Sequence, residues 1–128
     1  MNALIVDTSS WISYFAAKAR EDDIDLALQE GRIYLPPVVA AELMSARLPS
    51  SQKTALRAFL EELPLCESAL DHWIRVGELR AELAVKGLTI STPDAHVAQC
   101  AIDLKCFLLT EDGVFEKISL KNPLRLLR

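Results

Sequence analysis

No apolar run in this 128-residue chain approaches the ~18–20 residues that a membrane-spanning helix needs. The opening MNALIVDTSS has no basic segment ahead of its apolar stretch, and Asp7 interrupts that stretch, so it does not read as a secretory signal. Cysteine is scarce. Cys66, Cys100 and Cys106 are odd in number, sit in apolar contexts and lack paired metal-ligand spacing, so they read as reduced core thiols of a cytoplasmic protein. Internal repeats, low-complexity tracts and linkers are missing as well, and the length suits one compact domain over residues 1–128. A basic excess is also lacking: the net charge of −4 argues against a strong general nucleic-acid binder. The charge is uneven, however. Residues 117–128, KISLKNPLRLLR, carry four basic side chains and no acid, a pattern that suits a solvated strand edge and could also meet phosphates.

Strand-like and helix-like stretches alternate along the chain. Ala3–Val6 reads as a short buried strand closed by the Asp7-Thr8-Ser9-Ser10 cluster, which can cap a helix through Trp11, Ile12 and Phe15. A second helix starts at Asp22 or Asp23 and stops at Gly31; Arg32–Leu35 reads as a strand, and Pro36-Pro37 opens a helix to about Ala46. Further helices are expected from Ser50 or Ser51 to about Leu63, over Ser68–Lys86, and from Thr92-Pro93 onward, with a brief strand at Leu65-Cys66. Cys106–Thr110 is a near-continuous apolar run of the kind found in a central parallel strand. A short helix around Gly113–Ile118 and a strand at Leu124–Leu127 complete the pattern. Such alternation predicts an α/β fold with a parallel sheet covered on both faces, and ligands in such folds bind at the carboxyl ends of the strands.

Acids cluster at those ends. Asp7 directly follows the first strand, and Asp112 lies two residues past the run ending at Thr110. Asp94 heads a helix whose Val97, Ala98, Ala101 and Ile102 fall at offsets of three, four, seven and eight, placing its carboxylate at the top of a buried stripe. Glu42 sits among Val38, Val39, Leu43 and Ala46 on its own helix. One such acid reads most simply as a helix cap. Four together repel one another and raise each other's pKa, a conflict that a divalent cation resolves. Hard carboxylate oxygens favour Mg2+ or Mn2+ over zinc, and the natural substrate of such a site is a phosphodiester.

The same residues carry a family likeness. IVDTSSWI, VVAAEL, and KGLTISTPDAHVAQCA leading into CFLLTEDGVFEKI resemble, in order and spacing, PIN-domain ribonucleases and within them the VapC-type toxins of toxin–antitoxin pairs. The resemblance implies a three-layer α/β/α fold with a central parallel sheet. It implies Asp7, Glu42, Asp94 and Asp112 as the acidic metal-binding and catalytic residues, with Thr8 or Ser9 and Thr110 as hydroxyls that trim the pocket. It further implies dependence on Mg2+ or Mn2+, endonucleolytic RNA cleavage leaving 5′-phosphate and 3′-hydroxyl ends, homodimerisation, and a VapB-type antitoxin whose C-terminal segment covers the groove. Val114 departs from the pattern, standing where members often carry an acid or polar residue, and this bears on a second metal ion.

Other residues read more plainly. His96, about 200° around its helix from Asp94, is expected to face away as a surface or interface residue; His72 has no evident partner. Trp11, Phe15 and Trp73 suit core or dimer contacts, with Trp11 or Tyr14 as an antitoxin anchor. Among rivals, a haloacid-dehalogenase-like phosphatase needs a second Asp where Ser9 stands, and a receiver domain needs an acid pair and a Lys-Pro that are missing. A PIN-like interaction module without nuclease activity is the non-enzymatic alternative, and Val114 is the feature that leans toward it.

Overall fold

The protein is described by a computed structural model covering residues 2–128. In chain order the elements are β1 (Leu4–Val6), α1 (Thr8–Phe15), α2 (Glu21–Gln29), β2 (Ile33–Tyr34), α3 (Pro37–Met44), α4 (Ser50–Glu61), α5 (Leu70–Val85), α6 (Thr92–Leu104), β3 (Phe107–Leu109), α7 (Val114–Ser119) and β4 (Arg125–Leu126). The four strands form one parallel sheet in the order β2-β1-β3-β4, the α/β/α arrangement expected of the alternating sequence. The brief strand read at Leu65-Cys66 reduces to a single parallel bridge between Leu35 and Leu65.

Local chemistry sets the boundaries. Pro36 stays extended (φ −66°, ψ 129°) because a residue before proline is pushed out of the helical region, so α3 starts at Pro37. Ala69 is likewise extended, which moves the start of α5 from Ser68 to Leu70. Gly87, at φ +86°, takes the left-handed turn that ends the helix beyond Lys86.

The core forms where β1 and β3, both apolar and β-branched or leucine-rich, meet α6. Helix α6 is not the one-faced helix its periodicity suggests. It contacts α3, α5, α7, β1 and β3, and Ala95 through Ala101 are all buried. Leu83 of α5 is fully buried in this core. Leu83→Ala is expected to cost about 2–5 kcal/mol, read as a lower denaturation midpoint with an unchanged m-value.

The basic tail behaves as a strand edge. β4 is one of the two edge strands; Arg125 lies 5.0 Å over the Phe107 ring and Arg128 pairs with Glu116 at 2.6 Å. All three cysteines are buried and free. Among the described residues, no helix is long and apolar enough to cross a membrane.

Candidate functional site

Strand order locates the site. From β1 the chain moves outward to β2 on one side, and from β3 outward to β4 on the other. The crevice where a sheet's connections diverge lies between β1 and β3, at their carboxyl ends. Val6 is in register with Leu109, so Asp7 and Thr110 emerge side by side, joined by the Asp7 N–H donating to the Leu109 carbonyl at 2.9 Å.

Asp7 occupies the N-cap position of α1, yet its side chain makes no capping bond. Its Oδ2 instead accepts from the Thr110 hydroxyl at 2.9 Å and from the Ser9 hydroxyl at 3.1 Å. The same two hydroxyls hold the loop after β3: Thr110 Oγ1 accepts from the Asp112 N–H, and Ser9 Oγ from the Glu111 N–H, each at 3.0 Å. Asp112 is exposed, and its Oδ1 accepts from the Val114 N–H at 3.0 Å, opening α7. Val114 thus contributes a backbone donor where the family often has a polar side chain. Glu111 is drawn off to Ser13, whose hydroxyl donates to Oε1 at 2.8 Å.

Glu42 differs from its sequence reading, for it is exposed rather than set against the core. Thr8 Oγ1 donates to Glu42 Oε1 at 2.7 Å and anchors α3 to α1 beside Asp7. Asp94 is half-buried, and it is not its own cap: Ser91 Oγ accepts from the Asp94 N–H at 3.2 Å.

The electrostatics tie the four together. Burial raises the Asp7 pKa above the usual carboxylate value despite the Thr110 and Ser9 bonds, and the charge of Glu42 adds to the rise. Burial likewise raises Asp94, with Asp112 and Asp7 pushing the same way. Among the described residues, no salt bridge reaches any of the four acids. Oxygen-only donors, mutual repulsion and no protein cation make a set that fits a hard divalent ion. No three of these carboxylates, however, converge as tightly as a different group, His72, His96 and Cys100, whose ligand atoms lie within 4.8 Å of one another.

The sequence pattern of the PIN domain family matches residues 4–121. The chain belongs to the PIN domain family. No curated protein gives a significant sequence match. Among solved structures the PIN domain is similar to a chain of the DNA-bound VapBC from Salmonella typhimurium, with a TM-score of 0.80, 23% identity and coverage of 99% of this chain and 98% of that one. It is also similar to a chain of VapBC2 from Rickettsia felis, bound to a DNA fragment from their promoter, with a TM-score of 0.78, 23% identity and coverage of 98% and 97%. VapBC-1 from nontypeable Haemophilus influenzae gives a TM-score of 0.76 at 17% identity over 98% and 96%. These likenesses establish the fold.

Three sequence readings are corrected. His96 is fully buried rather than at a surface, and His72, also buried, has a partner: its Nε2 lies 2.7 Å from His96 Nδ1. Burial and the neighbouring His72 lower the His96 pKa to about 4. Rotation from Asp94 points His96 away from the acid but not into water, because α5 covers that face of α6. Trp11 is fully buried, so it belongs to the core and cannot anchor a partner, and the Tyr14 hydroxyl is committed to Asp25. The apolar side chains that α1 does expose are Ile12 (59%) and Phe15 (48%). They line an apolar groove of about 600 Å3 with Leu43, Leu48, Leu56 and Phe59, which the sequence reading missed.

Proposed function

We propose that this PIN domain is a Mg2+- or Mn2+-dependent endoribonuclease acting as the VapC-type toxin of a toxin–antitoxin pair. One observation carries the reading: four carboxylates from distant parts of the chain lie about the β1/β3 crevice with no cationic partner among the described residues. Asp7, Asp94 and Asp112 would hold the ion, with Glu42 directly or through water. When bound, Mg2+ or Mn2+ supplies an acidified water and neutralises charge on the scissile phosphate.

The chain's own groups do the rest. Ser9 and Thr110 fix Asp7 Oδ2 and keep the 110–112 loop against it, so the carboxylate is aimed before substrate arrives. Glu42, exposed and steered by Thr8, accepts the proton of the attacking water. The P–O3′ bond breaks as the new P–O bond forms, leaving a 5′-phosphate and a 3′-hydroxyl. The test is incubation of a total RNA pool with the protein in Mg2+, Mn2+ or EDTA. Cleavage confined to the metal-containing arms supports the reading, whereas an RNA pool left intact in both metals favours the interaction module.

A VapB-type antitoxin fits the groove beside this site. Thr8, Ile12 and Phe15 lie along one stripe of α1 at spacings of four and three, so a segment seated on Ile12 and Phe15 runs toward Thr8 and Glu42. The likeness to chains from VapBC complexes supports such a partner, and the family resemblance carries with it a homodimer. Phe15→Glu is expected to abolish co-purification with a co-expressed VapB-type antitoxin while RNA cleavage persists, because Phe15 lines the apolar groove. Undiminished co-purification would place the partner elsewhere.

A further inference from the structure

We propose that His72, His96 and Cys100 form a second metal site, for a thiophilic divalent ion such as Zn2+, distinct from the carboxylate crevice. His96 and Cys100 are four residues apart on α6 and share one face; His72 reaches that face from α5. Cys100 Sγ lies 4.0 Å from His72 Nε2 and 4.0 Å from His96 Nε2, and His72 Nε2 meets the other His96 nitrogen, Nδ1, at 2.7 Å. A tetrahedral ion with Zn–N near 2.0–2.1 Å and Zn–S near 2.3 Å separates its nitrogens by roughly 3.3 Å, and nitrogen from sulfur by roughly 3.6 Å. Taking one ligand atom from each residue, the three lie within 4.8 Å of one another, so binding draws them together by about an ångström.

The surroundings match a metal site beyond the ligands. Asp103 Oδ2 faces His72 Nδ1 at 3.4 Å, and Asp103 is itself held by Gln99 at 2.8 Å and by Arg75. A carboxylate on Nδ1 fixes the proton there and leaves Nε2 bare toward the cluster, the outer arrangement of zinc-bound histidines. A cavity of about 470 Å3, lined by Cys66, Asp71, His72, Cys100 and Asp103 among others, gives the ion a route from solvent and room for a water as fourth ligand. Hard Mg2+ and Mn2+ belong with the carboxylates, and the imidazole–thiolate set selects a softer ion. Binding displaces the Cys100 thiol proton to solvent, and the His72–His96 hydrogen bond gives way to bonds to the ion. The site would clamp α5 onto α6, whose first turn carries Asp94.

The test uses the full chain, reduced and metal-free, titrated with Co2+ alone. The expected result is a thiolate-to-cobalt charge-transfer band that saturates at one thiolate-bound ion per chain, whatever Co2+ the crevice carboxylates take, and is reversed by Zn2+, together with a change in fluorescence from Trp73, which stacks on His96 at 4.5 Å. Cys100→Ser loses the band, whereas Cys106→Ser, a buried thiol outside the cluster, keeps it. Asp103→Asn keeps the band but weakens binding about 10–100-fold. Absence of the band from the wild-type chain, or its survival in Cys100→Ser, overturns the proposal. Neither depends on RNA cleavage or on Asp7, so the two metal assignments stand or fall separately.

Discussion

Asp7→Asn lowers RNA cleavage by about a thousandfold or more while leaving the fold intact and the metal-free melting temperature unchanged or higher. The loss follows from withdrawing several kcal/mol of charge stabilisation, at about 1.4 kcal/mol per tenfold in rate, from the acid most deeply set in the crevice. The stability half of the prediction is the less obvious. Asp7 is only 7% exposed, and burial raises its folded-state pKa above the unfolded value. A native state that binds the proton more tightly than the unfolded chain loses stability as pH rises through that interval. Once ionised, Asp7 is therefore a destabilising group, and Asn removes the charge. The amide oxygen can still accept from Ser9 and Thr110, so the hydroxyl contacts that order the loop survive. Cleavage assays paired with thermal melts check both halves. A variant that cuts RNA at the wild-type rate defeats the nuclease reading. One that melts well below wild type shows that Asp7 is chiefly structural.

Parts of this site were legible in the sequence because they rest on local chemistry. A buried β-branched run stopped by Asp-Thr-Ser-Ser, and an apolar run stopped by Thr-Glu-Asp, announce two strand ends. The α/β rule then says where their side chains meet. Register was not legible. That Val6 pairs with Leu109, which sets Asp7 against Thr110, depends on long-range packing that no window of sequence contains. Glu42 shows the same limit from the other side. Its apolar neighbours suggest a buried stripe, but the exposed carboxylate is placed by Thr8, a contact 34 residues away.

Helix α6 explains what escaped. Amphipathic reasoning assumes one wet face, and a helix enclosed by α3, α5, α7 and two strands has almost none. His96 was therefore assigned to the surface by subtraction. The signal that was present is the four-residue spacing of His96 and Cys100. It becomes informative only once α5 and α6 are paired antiparallel through the turn at Gly87, which brings His72 from the start of one helix to the middle of the other. Likewise the groove at Ile12 and Phe15 is assembled from α1, α3 and α4, so no single helix displays it.

Mn2+ should reverse the sign of the crevice acids' contribution to the protein's pH dependence. In the metal-free chain Asp7 and Asp94 both have raised folded-state pKa values, so their contribution to stability falls as pH rises from about 4 toward neutrality. An ion held by the same carboxylates requires them ionised, and protons compete with it at low pH. With Mn2+ present, their contribution should therefore rise over that range. At neutral pH, Mn2+ at a hundred times its Kd adds about 2.7 kcal/mol, or roughly 8–15 °C in Tm for a chain of this size. Melts at pH 4.5 and pH 7, with and without Mn2+, measure it as a difference between the two slopes. Groups outside the crevice, His96 included, titrate alike in both series and cancel in the difference. The stabilisation should vanish in Asp7→Asn and shrink in Asp112→Asn, and it should persist in Cys100→Ser, because a thiolate is a poor ligand for a hard ion. Equal slopes with and without Mn2+ would mean that the four acids sit near one another without sharing a cation, and that the crevice is a docking surface rather than a reaction centre.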